Sequence, residues 1–349
     1  MSTLPRAVDL SWYRDLYKIG SIAGATAVAS RVTLAVGVPL VGGVLAGHPA
    51  AGVAGGATAL FVTMSDIGTT PSARLVTMLA GWIAIAGGGT LGHVLGSTQY
   101  GREVVVLLCA LVAGWASASH PAIAAVTRFF AVAAAAGSGM RFGDPNVLLS
   151  VFIGGAMAFV ALLFVWKSFS IPSDDNLMDW RAGVRRAFSG AGTGLRYTLC
   201  YGATAAVSLF AANSLGVKEP FWATLAVLMV MRPEGIASLE LTIHYAIGTI
   251  AGVIVAAAIL RFISQPLELA VLATFIAAFA RIGLAINPSL GFMAFTMFLL
   301  LGVSVIILSA GMAPHVLEAR VYDVAVGCIL ALAGTLAATY PRFSRAPNP

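Results

Sequence analysis

What most limits the fold of this chain is a succession of apolar runs, each about as long as a lipid bilayer is thick and broken by only a few polar residues. A helix crossing hydrocarbon needs about 20 mostly apolar residues, because at about 1.5 Å per residue that length spans a core of about 30 Å. Such runs lie near 28–47, 73–98, 103–118, 121–139 and 146–168, and again near 195–214, 237–261, 266–286, 288–310 and 318–340. Each half also holds one shorter apolar segment, near 52–65 and near 220–231. The pattern predicts an all-α polytopic membrane protein with about twelve transmembrane helices, six in each half. Charged residues make up only 10% of the chain, against about 25% in soluble domains. That leaves too little polar surface for a water-soluble enzyme or a nucleic-acid binder.

The halves read as a duplication. Arg31-Val32-Thr33-Leu34 recurs as Arg196-Tyr197-Thr198-Leu199, with Gly37 and Gly202 following at the same spacing. Further on, Gly68 meets Gly235, Gly81 meets Gly248, and His120-Pro121 meets Asn287-Pro288. An even number of spans per half makes the repeats parallel, related by an axis along the membrane normal. The expected organisation is an N-terminal amphipathic elbow over 1–27, a first six-helix repeat over 28–168, a cytoplasmic linker with a second elbow over 169–194, a second repeat over 195–340, and a tail over 341–349. Trp12, Leu16 and Ile19 mark the apolar side of the first elbow, and Trp180, Val184 and Phe188 that of the second. Arg14, Lys18, Arg185, Arg186, Arg342 and Arg345 gather on one side, which predicts cytoplasmic termini by the positive-inside rule.

Three features carry candidate chemistry. The short segments end at Asp66-Ile67-Gly68-Thr69-Thr70-Pro71 and at Arg232-Pro233-Glu234-Gly235. Matched, interrupted segments of this kind point to a transport site, since broken helices leave backbone groups facing a cavity; they also suit ordinary tight turns. Thr69 and Arg232 are the site residues expected there. Ionisable groups inside the apolar runs are costly in lipid and tend to face a pathway. Arg128 with Phe129 offers a cation beside an aromatic ring, suited to an aromatic carboxylate, while Arg31 and Arg196 could converge at one mouth. Trp222 would supply an aromatic wall. Glu240 and His244, spaced i, i+4, and Asp323, spaced i, i+3 from Arg320, are the candidate proton-coupling groups, or else structural pairs. No metal-ligand spacing, nucleophile elbow or phosphate-binding loop is present, so no catalytic residue, metal or cofactor is expected.

Pro220-Phe221-Trp222-Ala223-Thr224-Leu225, the Arg232-Pro233 break, Gly248-Thr249 with Gly252, and Arg320 with Asp323 and Gly327 resemble the membrane block of the fusaric acid resistance family. The resemblance is clearest over 195–340. It implies a six-helix unit used twice around a pathway for organic anions, as in bacterial inner-membrane exporters of aromatic carboxylic acids and, similarly, plant aluminium-activated malate channels. Proton-driven efflux and a periplasmic adaptor protein as partner are further implications. A passive anion channel and a non-transporting membrane scaffold share the same sequence features.

Overall fold

The structure is a computed structural model that describes residues 25–68, 70–98, 100–117, 120–139, 144–164, 185, 194–217, 220–310 and 316–344. Thr69 and the apolar residues of both expected elbows lie outside the described residues. The elements are all helical: α1 (Ala25–Leu45), α2 (Pro49–Met64), α3 (Pro71–Gly96), α4 (Gly101–Ala116), α5 (Pro121–Gly139), α6 (Pro145–Phe164), α7 (Gly194–Ser214), α8 (Phe221–Val230), α9 (Gly235–Phe262), α10 (Pro266–Ile286), α11 (Pro288–Ser309) and α12 (Val316–Ser344). Each apolar run of the sequence becomes one helix. Eight of the described helices are long and apolar enough to cross a membrane; α2 and α8 are shorter apolar helices, as expected, whereas α4 and α7, expected from the sequence to span, are not among the eight. Val76, Leu79 and Ile83 on α3, and Ile247, Ile250 and Ile254 on α9, form exposed apolar stripes at helical spacing, a face suited to hydrocarbon.

Helix limits follow local chemistry. Six helices begin with proline, whose fixed φ and missing N–H suit the first helical turn. Thr70 caps α3 by accepting from the Ala73 amide at 3.3 Å, and Asn287 caps α11 by accepting from the Ser289 amide at 2.9 Å. The α2–α3 break turns on Gly68, whose φ of +138° would strain any side chain, and whose Cβ would lie 2.8 Å from that of Ala73. The α8–α9 break begins where Met231 leaves the helix in an extended conformation ahead of Pro233.

Small residues set the helix spacing. A Cβ at Gly88 or Gly92 of α3 would collide with backbone of α5, and one at Gly248 or Gly252 of α9 would reach 2.5 Å from the Ser289 carbonyl and 2.7 Å from the Met293 carbonyl of α11. These are the small-residue ridges visible in the sequence, here letting backbones touch. The partners run in parallel through the two halves: α1 packs on α2 and α6 as α7 packs on α8 and α12, and α3 on α5 as α9 on α11. The halves also clasp one another. α10 lies on α1 and α4 on α7, with α5 against α8 and α11 against α2. Gly37 and Gly202 both sit in these crossings; added methyls would meet Thr274 of α10 at 2.9 Å and Leu111 of α4 at 2.6 Å.

Candidate functional site

At about 1.5 Å per residue, α8 is only about 15 Å long and α2 about 24 Å, both shorter than a hydrocarbon core of about 30 Å. Between these short helices and the inward faces of α5 and α11 lies a cavity of about 390 Å³. Its walls include Phe61 of α2, Phe129 of α5, Phe221 and Trp222 of α8, and Phe298 of α11. Thr58 adds a hydroxyl whose proton is donated to the Ala54 carbonyl at 2.9 Å, which leaves its oxygen able to accept a hydrogen bond. Phe61 packs at 5.3 Å from Phe129 and 5.8 Å from Phe295, so rings from α2, α5 and α11 meet in one layer. A space of this size, apolar and ringed by aromatic faces, suits one small aromatic molecule. Phe129 and Trp222, picked out from the sequence, are both in its wall.

Arg128 and Arg232 are brought together. Arg128 is half-buried on α5, one residue before Phe129, and its charge interacts with Arg232 at the end of α8. Tyr197 and Tyr201 of α7, stacked at 5.7 Å, lie within electrostatic reach of both cations, as Glu234 does of Arg232. The exposed carbonyls ending α8 need partners: Tyr201 donates to Leu228 at 2.9 Å and Arg232 to its neighbour Met231 at 2.9 Å. The Nε of Arg128 is buried without a hydrogen-bond partner among the described residues. The result is a cation pair with aromatic flanks, one residue along α5 from the cavity wall at Phe129.

Arg31 and Arg196 do not converge. Arg196 is exposed at the start of α7, whereas Arg31 is fully buried in α1. Arg31 donates to Asp66 at 2.5 Å, and Arg74 grips the same carboxylate through Nε at 2.8 Å and Nη2 at 2.7 Å. Arg281 of α10, 5% exposed, lies within electrostatic reach of Arg31, Asp66 and Arg74. Sequence reasoning passed over Arg281. The signal was a lone cation five residues before the end of an apolar run, which reads equally as a topology marker.

The remaining candidates lie apart from the cavity. Glu240 approaches Nε2 of His244 at 3.8 Å, while Nδ1 of His244 pairs with the Ser289 hydroxyl at 2.7 Å, tying α9 to α11. Asp323 is fully buried on α12. Arg320, read from the sequence as the i, i+3 partner of Asp323, is buried: its guanidinium lies 4.1 Å over the Trp222 ring and donates to the Tyr245 hydroxyl at 3.1 Å. It therefore braces the back of a cavity-wall residue by a cation–π contact.

No curated protein and no solved structure matches this chain. Residues 205–334, from the middle of α7 into α12, match the family described as fusaric acid resistance protein-like, so the second half of the chain carries a region similar to that family.

Proposed function

We infer that this protein exports small aromatic carboxylates across a bacterial inner membrane, coupled to protons, from two six-helix repeats with both termini in the cytoplasm. The observation that carries this reading is the juxtaposition on α5: Phe129 in the wall of an apolar, aromatic cavity and Arg128 next to it in sequence, its buried Nε unpartnered among the described residues. A benzoate-like molecule has these two needs, a ring to be desolvated and a carboxylate to be paired. Arg128 and Arg232 would draw the anion, and the rings of Phe61, Phe129 and Trp222 would take its apolar part.

The parallel helix partnerships and the matched crossing positions of Gly37 and Gly202 support the repeat reading. The layer of Phe61, Phe129 and Phe295 would close the cavity on one side, with the arginine clusters beyond it. Glu240 and His244 would take up and release the coupling proton, since histidine titrates near neutrality.

The test is uptake of labelled benzoate into proteoliposomes, with and without an imposed pH gradient. Concentrative uptake that collapses with a protonophore, and falls at least tenfold in Arg128→Gln with normal insertion, is the expected result. Flux that merely follows the anion's own gradient makes the protein a channel. Absence of flux across a panel of carboxylates refutes the substrate assignment.

A further inference from the structure

We propose that Arg281, together with Arg31, Arg74 and Asp66, forms a second oxyanion-binding site, separate from the Arg128 cluster, in which the open fork of Arg281 holds one carboxylate. The identity of that carboxylate as transported substrate rests on the function proposed above; the existence of the site does not.

Among the described residues of this cluster, three guanidiniums face one carboxylate. Both oxygens of Asp66 are engaged, Oδ1 by Nε of Arg74 and Oδ2 by Nη2 of Arg74 and Nη1 of Arg31. Arg281 comes from the other half of the chain, through the packing of α10 on α1, and is 5% exposed. Its Nε and Nη2 are buried with no hydrogen-bond partner among the described residues. These two nitrogens form one edge of the guanidinium, the same edge with which Arg74 grips Asp66. Two parallel N–H groups at that edge match the two oxygens of a carboxylate, which is the strongest pairing a guanidinium makes. A cation left buried without such a partner is penalised heavily, so an exchangeable oxyanion satisfies both its charge and its geometry.

The position is also shared. Arg128 crosses from α5 to the end of α8 and to Tyr197 and Tyr201 of α7; Arg281 crosses from α10 to the end of α2 and to Arg31 of α1. Each half thus sends one arginine to the broken segment of the other.

The experiment uses the full chain in phosphatidylcholine nanodiscs and measures equilibrium binding of labelled benzoate, with inorganic sulfate as competitor. Two saturable sites are expected in the parent, one of them weakened at least tenfold by Arg281→Gln, that being the scale of a charge-assisted hydrogen-bond pair. Arg281→Lys, which keeps the charge and loses the fork, should weaken binding several-fold and serves as the reading if Arg281→Gln does not fold. In Arg128→Gln a benzoate site that still depends on Arg281 should remain. Displacement of benzoate by phosphatidylglycerol in the disc would assign the oxyanion to a lipid headgroup at the same site. Binding to both Arg281 variants as to the parent, or no saturable binding of benzoate or sulfate, overturns the proposal. Flux measured on the same preparations separates the two claims: transport with Arg281-independent binding refutes only this site, and Arg281-dependent binding without transport refutes only the transporter reading.

Discussion

Replacing Asp66 by asparagine is the sharpest test of how the first half is held together. Asp66 is fully buried and receives three hydrogen bonds from the guanidiniums of Arg31 and Arg74. Asparagine keeps one acceptor oxygen, so one edge of the contact survives, but its NH₂ would then face N–H donors where the second oxygen had accepted two. Each charge-assisted bond contributes about 1.5–3 kcal/mol, so two lost bonds amount to about 3–6 kcal/mol. Measured losses on breaking buried ion pairs, about 3–5 kcal/mol, agree. The like charges of Arg31, Arg74 and Arg281 would then act without their shared counter-ion, which keeps the cost at the upper part of that range. Tryptophan-fluorescence melting of the detergent-solubilised full chain, at one scan rate, should show Tm lowered by about 5–10 °C. Adding Arg31→Gln to Asp66→Asn should restore part of the loss, because the double change removes the uncompensated charge as well as its partner. A Tm for Asp66→Asn within 1 °C of the parent would refute the claim that this carboxylate anchors the cluster.

Other perturbations probe the packing and the transport reading. Gly252→Leu places a side chain against the Met293 carbonyl, 2.7 Å from the first carbon alone, and should push α9 off α11; overpacking of this kind costs about 1–3 kcal/mol, read as a lower Tm or poor insertion, while Gly42→Ala, where a Cβ meets nothing, should be neutral. Phe61→Ala removes a ring touching both Phe129 and Phe295 and should convert concentrative benzoate uptake into a leak down its own gradient; unchanged accumulation would take Phe61 out of the barrier. His244→Gln keeps a partner for the Ser289 hydroxyl but cannot titrate, so benzoate uptake should lose its response to an imposed pH gradient; a response like the parent's would remove His244 from proton coupling.

The helices were legible because membrane helices are locally determined. Proline at Pro49, Pro71, Pro121, Pro145, Pro266 and Pro288 marks starts, and the breaks at Gly68 and Pro233 mark stops, so the expected runs and the observed helices agree within a few residues. The glycine ridges at Gly88, Gly92, Gly248 and Gly252 were legible for the same reason, their spacing being a property of one helix. The site was legible only in part. Phe129 and Trp222 reach the cavity wall and Arg128 reaches Arg232, yet Arg31 and Arg196, equivalent by sequence, have opposite environments.

By itself, the sequence determined that the chain is helical throughout its apolar runs and where most of those helices start and stop, since each satisfies its own backbone in hydrocarbon through bonds four residues apart. Tertiary structure alone decided which arginine meets which counter-ion. Lipid and protein interior are both apolar, so the pattern along a spanning helix does not say which face meets a neighbour; the laying of α10 on α1 buries Arg281 beside Asp66, the packing of α12 on α8 buries Arg320 behind Trp222, and Arg196 at the start of α7 is left exposed.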